Sequence, residues 1–144
     1  MIKFSEDRLS VAEYLGLRES VGWKKLTERQ AELALENCIY SISAYDEAED
    51  GSRKLIGMGR IVGDGAVICY IQDLIVLPEY HGRGVGSALI KHLKNYVTNL
   101  NTDGEEMMLA LMCAKGREGF YERHGFMARP TENLGPGMII YLKR

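Results

Sequence analysis

The sequence predicts an α/β protein of the α+β type, with a mixed, mostly antiparallel central sheet flanked by helices. Three features carry that expectation. Two capping boxes near the start, Ser10-Val-Ala-Glu13 and Thr27-Glu-Arg-Gln30, open helices before any long strand. Three strand-like runs then follow one another between Cys38 and Leu77 with only short turns between them, which reads as an antiparallel meander. A long helix, a strand, a short helix and a last strand complete a crossover. A doubly wound sheet would alternate strand and helix from the start, and is excluded.

The chain of 144 residues suits a single domain, 1–144. In its first helix, from Ser10, the apolar face is Val11, Tyr14, Leu15 and Leu17; a short strand before it is left open. The second, from Thr27 to about Asn37, offers Ala31, Leu33, Ala34 and Leu35, and the link between the two holds Gly22 and Trp23. The first strand of the meander, Cys38 to Tyr45, alternates with period two. The second, Leu55 to Val62, contains Gly57 and Gly59, which suggest a bulge or a close approach. The charged run Asp46 to Asp50 reads as a solvated hairpin tip. The third strand, Val67 to Leu77, is apolar on both faces, so it belongs inside the sheet, and Pro78 ends it. A helix over Gly84–Leu100 shows Val85, Leu89, Leu93, Tyr96 and Leu100 on one stripe. A strand at Met107–Cys113, a short helix at Arg117–Arg123 and a final strand at Met138–Leu142 close the order.

Composition narrows the function. A net charge of −2, from 18 basic and 20 acidic residues, gives no electrostatic footprint for nucleic acid. No run reaches the length of a membrane span and no apolar segment opens the chain, so a cytoplasmic protein with no membrane partner is expected. Cys38, Cys69 and Cys113 are odd in number and widely spaced, which fits buried free thiols and no zinc site. Met107, Met108 and Met112 fit core filling.

The chemistry sits between Asp73 and Leu89. There a buried strand runs into a turn with Gly82, Gly84 and Gly86, and the turn opens directly into a helix. Such a turn brings unpaired amides and the positive end of a helix dipole to one point, which suits a pyrophosphate. The spacing G-x-G-x-G is neither the dinucleotide fingerprint nor a P-loop. On spacing alone, phosphate binding and a plain Gly-rich connection both stand.

The segment resembles motif A of the GNAT acetyltransferase superfamily. Leu74-x-Val76-x-Pro78 matches its strand pattern, and His81-Gly-Arg-Gly84-Val-Gly86 matches its loop, with His81 where the family usually has Gln or Arg. Gly119-Phe-Tyr-Glu-Arg-His-Gly-Phe126 resembles the family's F-Y-E-x-x-G-F segment. The resemblance covers nearly the whole chain. It implies acetyl-CoA as co-substrate, with no metal, and as acceptor a primary amine of a small molecule or else of a protein or peptide, among which the sequence does not choose. His81, Gly82, Arg83, Gly84, Val85, Gly86 and Ser87 would wrap the CoA pyrophosphate. Leu74, Ile75 and Val76 would line the pantetheine arm, the Leu74 amide also polarising the acetyl carbonyl. Tyr121 would protonate the departing thiolate, although an aromatic at that place is also an ordinary core residue. Where the family often has Asn at the end of the preceding strand, this chain has Cys113-Ala114-Lys115.

The acceptor amine must lose a proton before it attacks. Asp73 and Glu19 are candidate bases, a water relay is a third route, and Asp73 may equally be held by main-chain donors. Cys113 as an acyl carrier is the weaker reading of an apolar strand end. Acceptor choice is expected from Leu17–Trp23, Met58–Arg60 and Asn133–Met138, with Arg18, Glu19, Trp23 and Arg60 as polar contacts. Homodimers are common in the family, and no stretch of this sequence points to one. Two other classes stay open: a catalytically silent acyl-CoA sensor of the same fold, and an unrelated nucleotide-binding α/β protein.

Overall fold

A computed structural model describes residues 1–144, which divide into two compact units, Met1–Leu111 and Met112–Arg144. The first unit holds β1 (Ile2–Ser5), α1 (Val11–Ser20), α2 (Glu28–Asn37), β2 (Tyr40–Glu47), β3 (Arg53–Gly63), β4 (Ile68–Val76), a single 3-10 turn (Pro78–Tyr80), α3 (Val85–Leu100) and β5 (Met108–Leu111). Both capping boxes form. Ser10 accepts from the Glu13 amide while Glu13 accepts from the Ser10 amide, and Thr27 and Gln30 do the same for α2.

The sheet runs β1-β2-β3-β4-β5 in sequence order; β1 to β4 are antiparallel neighbours and β4–β5 is parallel. The mixed sheet with flanking helices is the expected architecture, and β4 lies inside it. Successive side chains along β3 serve opposite faces. On one face Met58, with Ile75 of β4, joins Leu9, Tyr14, Leu17, Ala31 and Leu35 from the α1–α2 layer. On the other, Gly57 and Gly59 lie under α3: a Cβ on Gly59 would stand 2.9 Å from Leu93 Cδ1, and one on Gly57 2.6 Å from the Ile75 carbonyl. The two glycines are therefore a close approach, and Leu89 and Leu93 occupy the space they leave.

The bulges fall elsewhere. Arg60 pairs with Asp73 and Ile61 with Ile71, so Gln72 is the extra residue in β4. A second irregularity lies between Ala44 and Tyr45 of β2.

In the second unit the only regular element is α4 (Glu118–Arg123). Around it Phe120 meets Tyr121 edge-on at 5.1 Å, and Tyr121 meets Phe126 at 5.8 Å. None of its residues is fully buried. Three expectations are corrected here and at β5. The final strand over Met138–Leu142 does not form, because a strand exists only through a partner's hydrogen bonds and no strand pairs with it. Met108, on the edge strand β5, and Met112, just past its end, are exposed and fill no core. Of the cysteines, all free, Cys69 is buried, Cys38 partly so, and Cys113 exposed.

Candidate active site

The site begins where β4 loses its parallel neighbour. β5 pairs with β4 only from Ile68↔Met108 to Ile71↔Leu111, so beyond Ile71 no strand lies on that side. The Leu77 amide donates to the Ile56 carbonyl of β3 at 2.8 Å. Backbone groups alternate along a strand, so the N–H and C=O of Val76 and Leu74 point the other way, to the unpaired edge. His81 marks the same edge. Its Nε2 lies 2.8 Å from the Val76 carbonyl oxygen, and since a carbonyl only accepts, Nε2 carries the hydrogen. The Val76 carbonyl keeps one lone pair, and the edge as a whole is a row that an extended ligand can join.

The turn that follows is held from two sides. Inside it, the Tyr80 amide donates to Leu77 and the His81 amide to Pro78. From outside, the Tyr80 hydroxyl donates to Asp46 Oδ2 at 2.7 Å, and Lys54 pairs with Glu79 at 3.0 Å. Asp46 is thus no solvated tip residue: it ties the turn to β2, and the Tyr80 hydroxyl and then the Met1 ammonium hold its carboxyl below the usual range. The Arg83 guanidinium lies over the Tyr80 ring at 4.8 Å, which orients its charge.

Gly82 and Gly84 have φ of 76° and 78°, and a Cβ at either would meet nothing within 4 Å, so the backbone there faces open space. Gly84 caps α3, and the first bond of the helix runs from the Ala88 amide to the Gly84 carbonyl at 3.0 Å. The amides of Val85 and Gly86 precede it and have no acceptor inside the helix. Two left-handed glycines, first-turn amides and Arg83 supply the donors and the charge that could hold a phosphate-bearing group.

Behind β4 lies a cluster that sequence reasoning did not assemble. Asp73 is 1% exposed. Its Oδ2 accepts from the Tyr14 hydroxyl at 2.6 Å and from Arg60 Nε at 2.6 Å, while Oδ1 accepts from Arg18 Nη1 at 3.2 Å. Arg60 reaches on to the Ala34 carbonyl and the Tyr14 oxygen, and Arg18 to the Lys24 carbonyl. Burial, and next the Asp73 charge, push the Tyr14 phenol above its ordinary range. A carboxylate 1% exposed, with both oxygens taken by two guanidiniums and a hydroxyl, has no open face for an incoming amine. Asp73 is therefore a structural anchor joining α1 to the sheet, and Arg60 is buried with it, not facing an acceptor.

Beside this cluster, Leu15, Arg18, Glu19, Gly22, Trp23 and Leu26 line, with Lys24 and Lys25, a cavity of about 240 Å³. The Arg18 guanidinium stands 5.3 Å from the Trp23 ring. Tyr121 belongs to the second unit. Burial, and then the Cys113 thiol nearby, raise its phenol pKa, so it stays protonated across the neutral range. Desolvation, with Glu118 next, also pushes the Cys113 thiol up, which disfavours the thiolate an acyl carrier needs. No group of three or more His, Cys, Asp or Glu is arranged to hold a metal ion, and no helix is long and apolar enough to cross a membrane.

An open strand edge leads through a Gly-rich turn into a helix N-terminus on a mixed sheet, an arrangement that could hold an extended, phosphate-bearing ligand. The family model for the acetyltransferase (GNAT) domain matches residues 40–128. The chain is 32% identical to a probable acetyltransferase of unknown function from methicillin-resistant Staphylococcus aureus; the superposition covers 99% of this chain and 100% of that one with a TM-score of 0.83. It is 30% identical over 131 residues to an uncharacterized ycf52-like N-acetyltransferase of Prochlorococcus marinus, covering 90% of this chain and 70% of that protein. It is 28% identical over 124 residues to the chloroplastic serotonin N-acetyltransferase 2 of rice, covering 86% of this chain and 58% of that protein. This chain belongs to the GNAT acetyltransferase family.

The strand, turn and helix of the site were legible as a motif. Tyr14, Tyr80 and Asp46 were missed as supports, since each partner lies far off in sequence and only the fold brings them together.

Proposed function

We propose that the protein transfers the acetyl group of acetyl-CoA to the primary amine of a small molecule, by direct attack. The observation that carries this reading is the unpaired edge at Leu74 and Val76 leading into the Gly82–Gly86 turn. It offers the edge groups of Leu74 and Val76 for an extended arm and, past the turn, the first-turn amides of α3 for a terminal pyrophosphate. The pyrophosphate sits against the first-turn amides of α3, with Arg83 beside it. The arm adds to the β4 edge, and the Leu74 amide donates to the thioester oxygen.

The amine nitrogen attacks the carbonyl carbon, and the negative charge that develops on the oxygen is met by that amide. The C–S bond then breaks, the sulfur leaves with the electron pair, and Tyr121 gives it a proton. The attacking nitrogen loses its proton to water or to Glu19, whose cavity beside Trp23 suits an amine with an apolar or aromatic body. The rice relative, named for an aromatic amine, supports an acceptor of that kind.

The test is thiol release from acetyl-CoA across a panel of arylalkylamines, polyamines, amino sugars and peptides, beside desulfo-CoA binding. Turnover with one class and competition by desulfo-CoA, but not by ATP or NAD, is the expected result. Tight desulfo-CoA binding without turnover on any amine would leave a silent acyl-CoA sensor. Equal competition by ATP would remove the CoA assignment itself.

A further inference from the structure

The cluster behind β4 leaves a positive charge without a counter-charge. Two guanidiniums, Arg18 and Arg60, share the single carboxylate of Asp73. Arg60 is sealed in the core, but Arg18 also lines the cavity of about 240 Å³ formed by the end of α1 and the linker to α2. Its Nη1 donates to Asp73 and its Nη2 to the Lys24 carbonyl, while its Nε, although buried, has no acceptor. Lys24 and Lys25 lie on the same cavity wall, and no carboxylate of the chain pairs with Lys25. Against these three cations the wall holds one carboxylate, Glu19, which leaves a net charge of two positive. Including Arg60 and Asp73 does not change that sum, because the two cancel. The rest of the wall is apolar, from Leu15, Trp23 and Leu26, and the Trp23 ring stands 5.3 Å from the Arg18 guanidinium. A cleft lined by one sign of charge over low-dielectric walls concentrates ligand groups of the other sign.

We propose that the acceptor amine carries a carboxylate, so that the substrate is a small amino acid with an apolar or aromatic body. Its amine lies toward Glu19, its body against Leu15, Trp23 and Leu26, and its carboxylate toward Arg18 and Lys25. A polyamine or a plain arylalkylamine would bring another cation to a wall that is already positive, whereas a carboxylate compensates it. At about 30 Å³ per water the cavity takes up about eight waters, the scale of one small molecule. The acceptor role of the cavity rests on the acetyl-transfer reading; the charge of its wall does not.

Phenylalanine and leucine, each beside its carboxamide, test this, since acid and amide share amine and body and differ in the charge. Binding to the full chain is read from the fluorescence of Trp23, the sole tryptophan, which lines the cavity. Turnover is read as thiol released from acetyl-CoA. Each acid should bind at least about tenfold tighter than its amide, with a gap that narrows as salt is raised. Lys25→Glu should shrink the gap to about threefold or less, and Lys25→Arg should keep it. Lys25 is exposed, so the charge reversal keeps the fold; Lys25→Gln serves if circular dichroism shows otherwise. Equal affinity for acid and amide, a tighter amide, or no response to either pair overturns the proposal. So does a preference for the acid that Lys25→Glu leaves intact. Acid-selective binding without thiol release would uphold the charge selection and remove the transfer reading instead. Thiol release with the amides alone would keep transfer and overturn the acidic acceptor.

Discussion

Replacing Asp73 by Asn separates an anchor from a base, because the two roles predict opposite outcomes. Asp73 accepts three hydrogen bonds and donates none, two of them from guanidiniums whose side chains are 6% and 13% exposed. Asn keeps the shape but offers one acceptor oxygen and an NH2 group. The Tyr14 hydroxyl can turn to accept from that NH2. Neither arginine can, so one guanidinium loses its acceptor whichever way the amide is placed. Removing one partner of a buried ion pair costs about 3–5 kcal/mol, and the slight exposure of Arg18 argues for the lower end, about 3 kcal/mol. Equilibrium unfolding in urea, followed by the fluorescence of Trp23, the sole tryptophan, reads this directly. The midpoint should fall with an unchanged slope, and the residual folded enzyme should keep its kcat. An Asp73→Asn protein that loses less than about 1 kcal/mol and loses its turnover would refute the anchor and restore the base. A double-mutant cycle with Arg18→Met should show coupling of about 1 kcal/mol or more.

Other outcomes follow from the same geometry. Tyr121→Phe should lower kcat by about a hundredfold and leave desulfo-CoA binding as it was. Because the phenol pKa is raised, the acid form persists to higher pH, so any alkaline limb due to Tyr121 lies above about pH 10; a limb near neutrality that vanishes in the variant would remove it from the role. Gly57→Ala should destabilise by about 1–3 kcal/mol, measured by thermal melting, because its Cβ would stand 2.6 Å from a backbone oxygen that cannot swing away. Gly16→Ala should do the reverse, adding about 0.5–1 kcal/mol, since Gly16 lies on the exposed side of α1 with nothing within 4 Å of its Cβ. Gly84→Ala, at φ 78°, should cost about 1–2 kcal/mol and weaken desulfo-CoA binding by calorimetry.

The elements that the sequence announced are those whose signals are local. Ser10 and Thr27 cap their helices with residues three places on, so both starts are where the capping boxes put them. The long helix came from its own stripe, and the interior place of β4 from apolarity on both faces. The expected strand at Met138–Leu142 had the composition of a strand and does not form one, because pairing is a property of two segments and composition of one. Asp46 read as part of a solvated tip for the same reason: its partner, the Tyr80 hydroxyl, lies beyond two strands in sequence.

The site divides along that line. The amino-acid sequence alone was enough for the family, through the resemblance of Leu74–Gly86 and Gly119–Phe126 to its motifs; left-handed turns need glycine, so Gly82 and Gly84 could be read as a turn without a fold. Only the tertiary structure decided what Asp73 does. A carboxylate in an apolar strand is base or anchor according to what meets it, and the Tyr14, Arg18 and Arg60 that clasp it come from two other elements, brought within hydrogen-bond distance by packing alone.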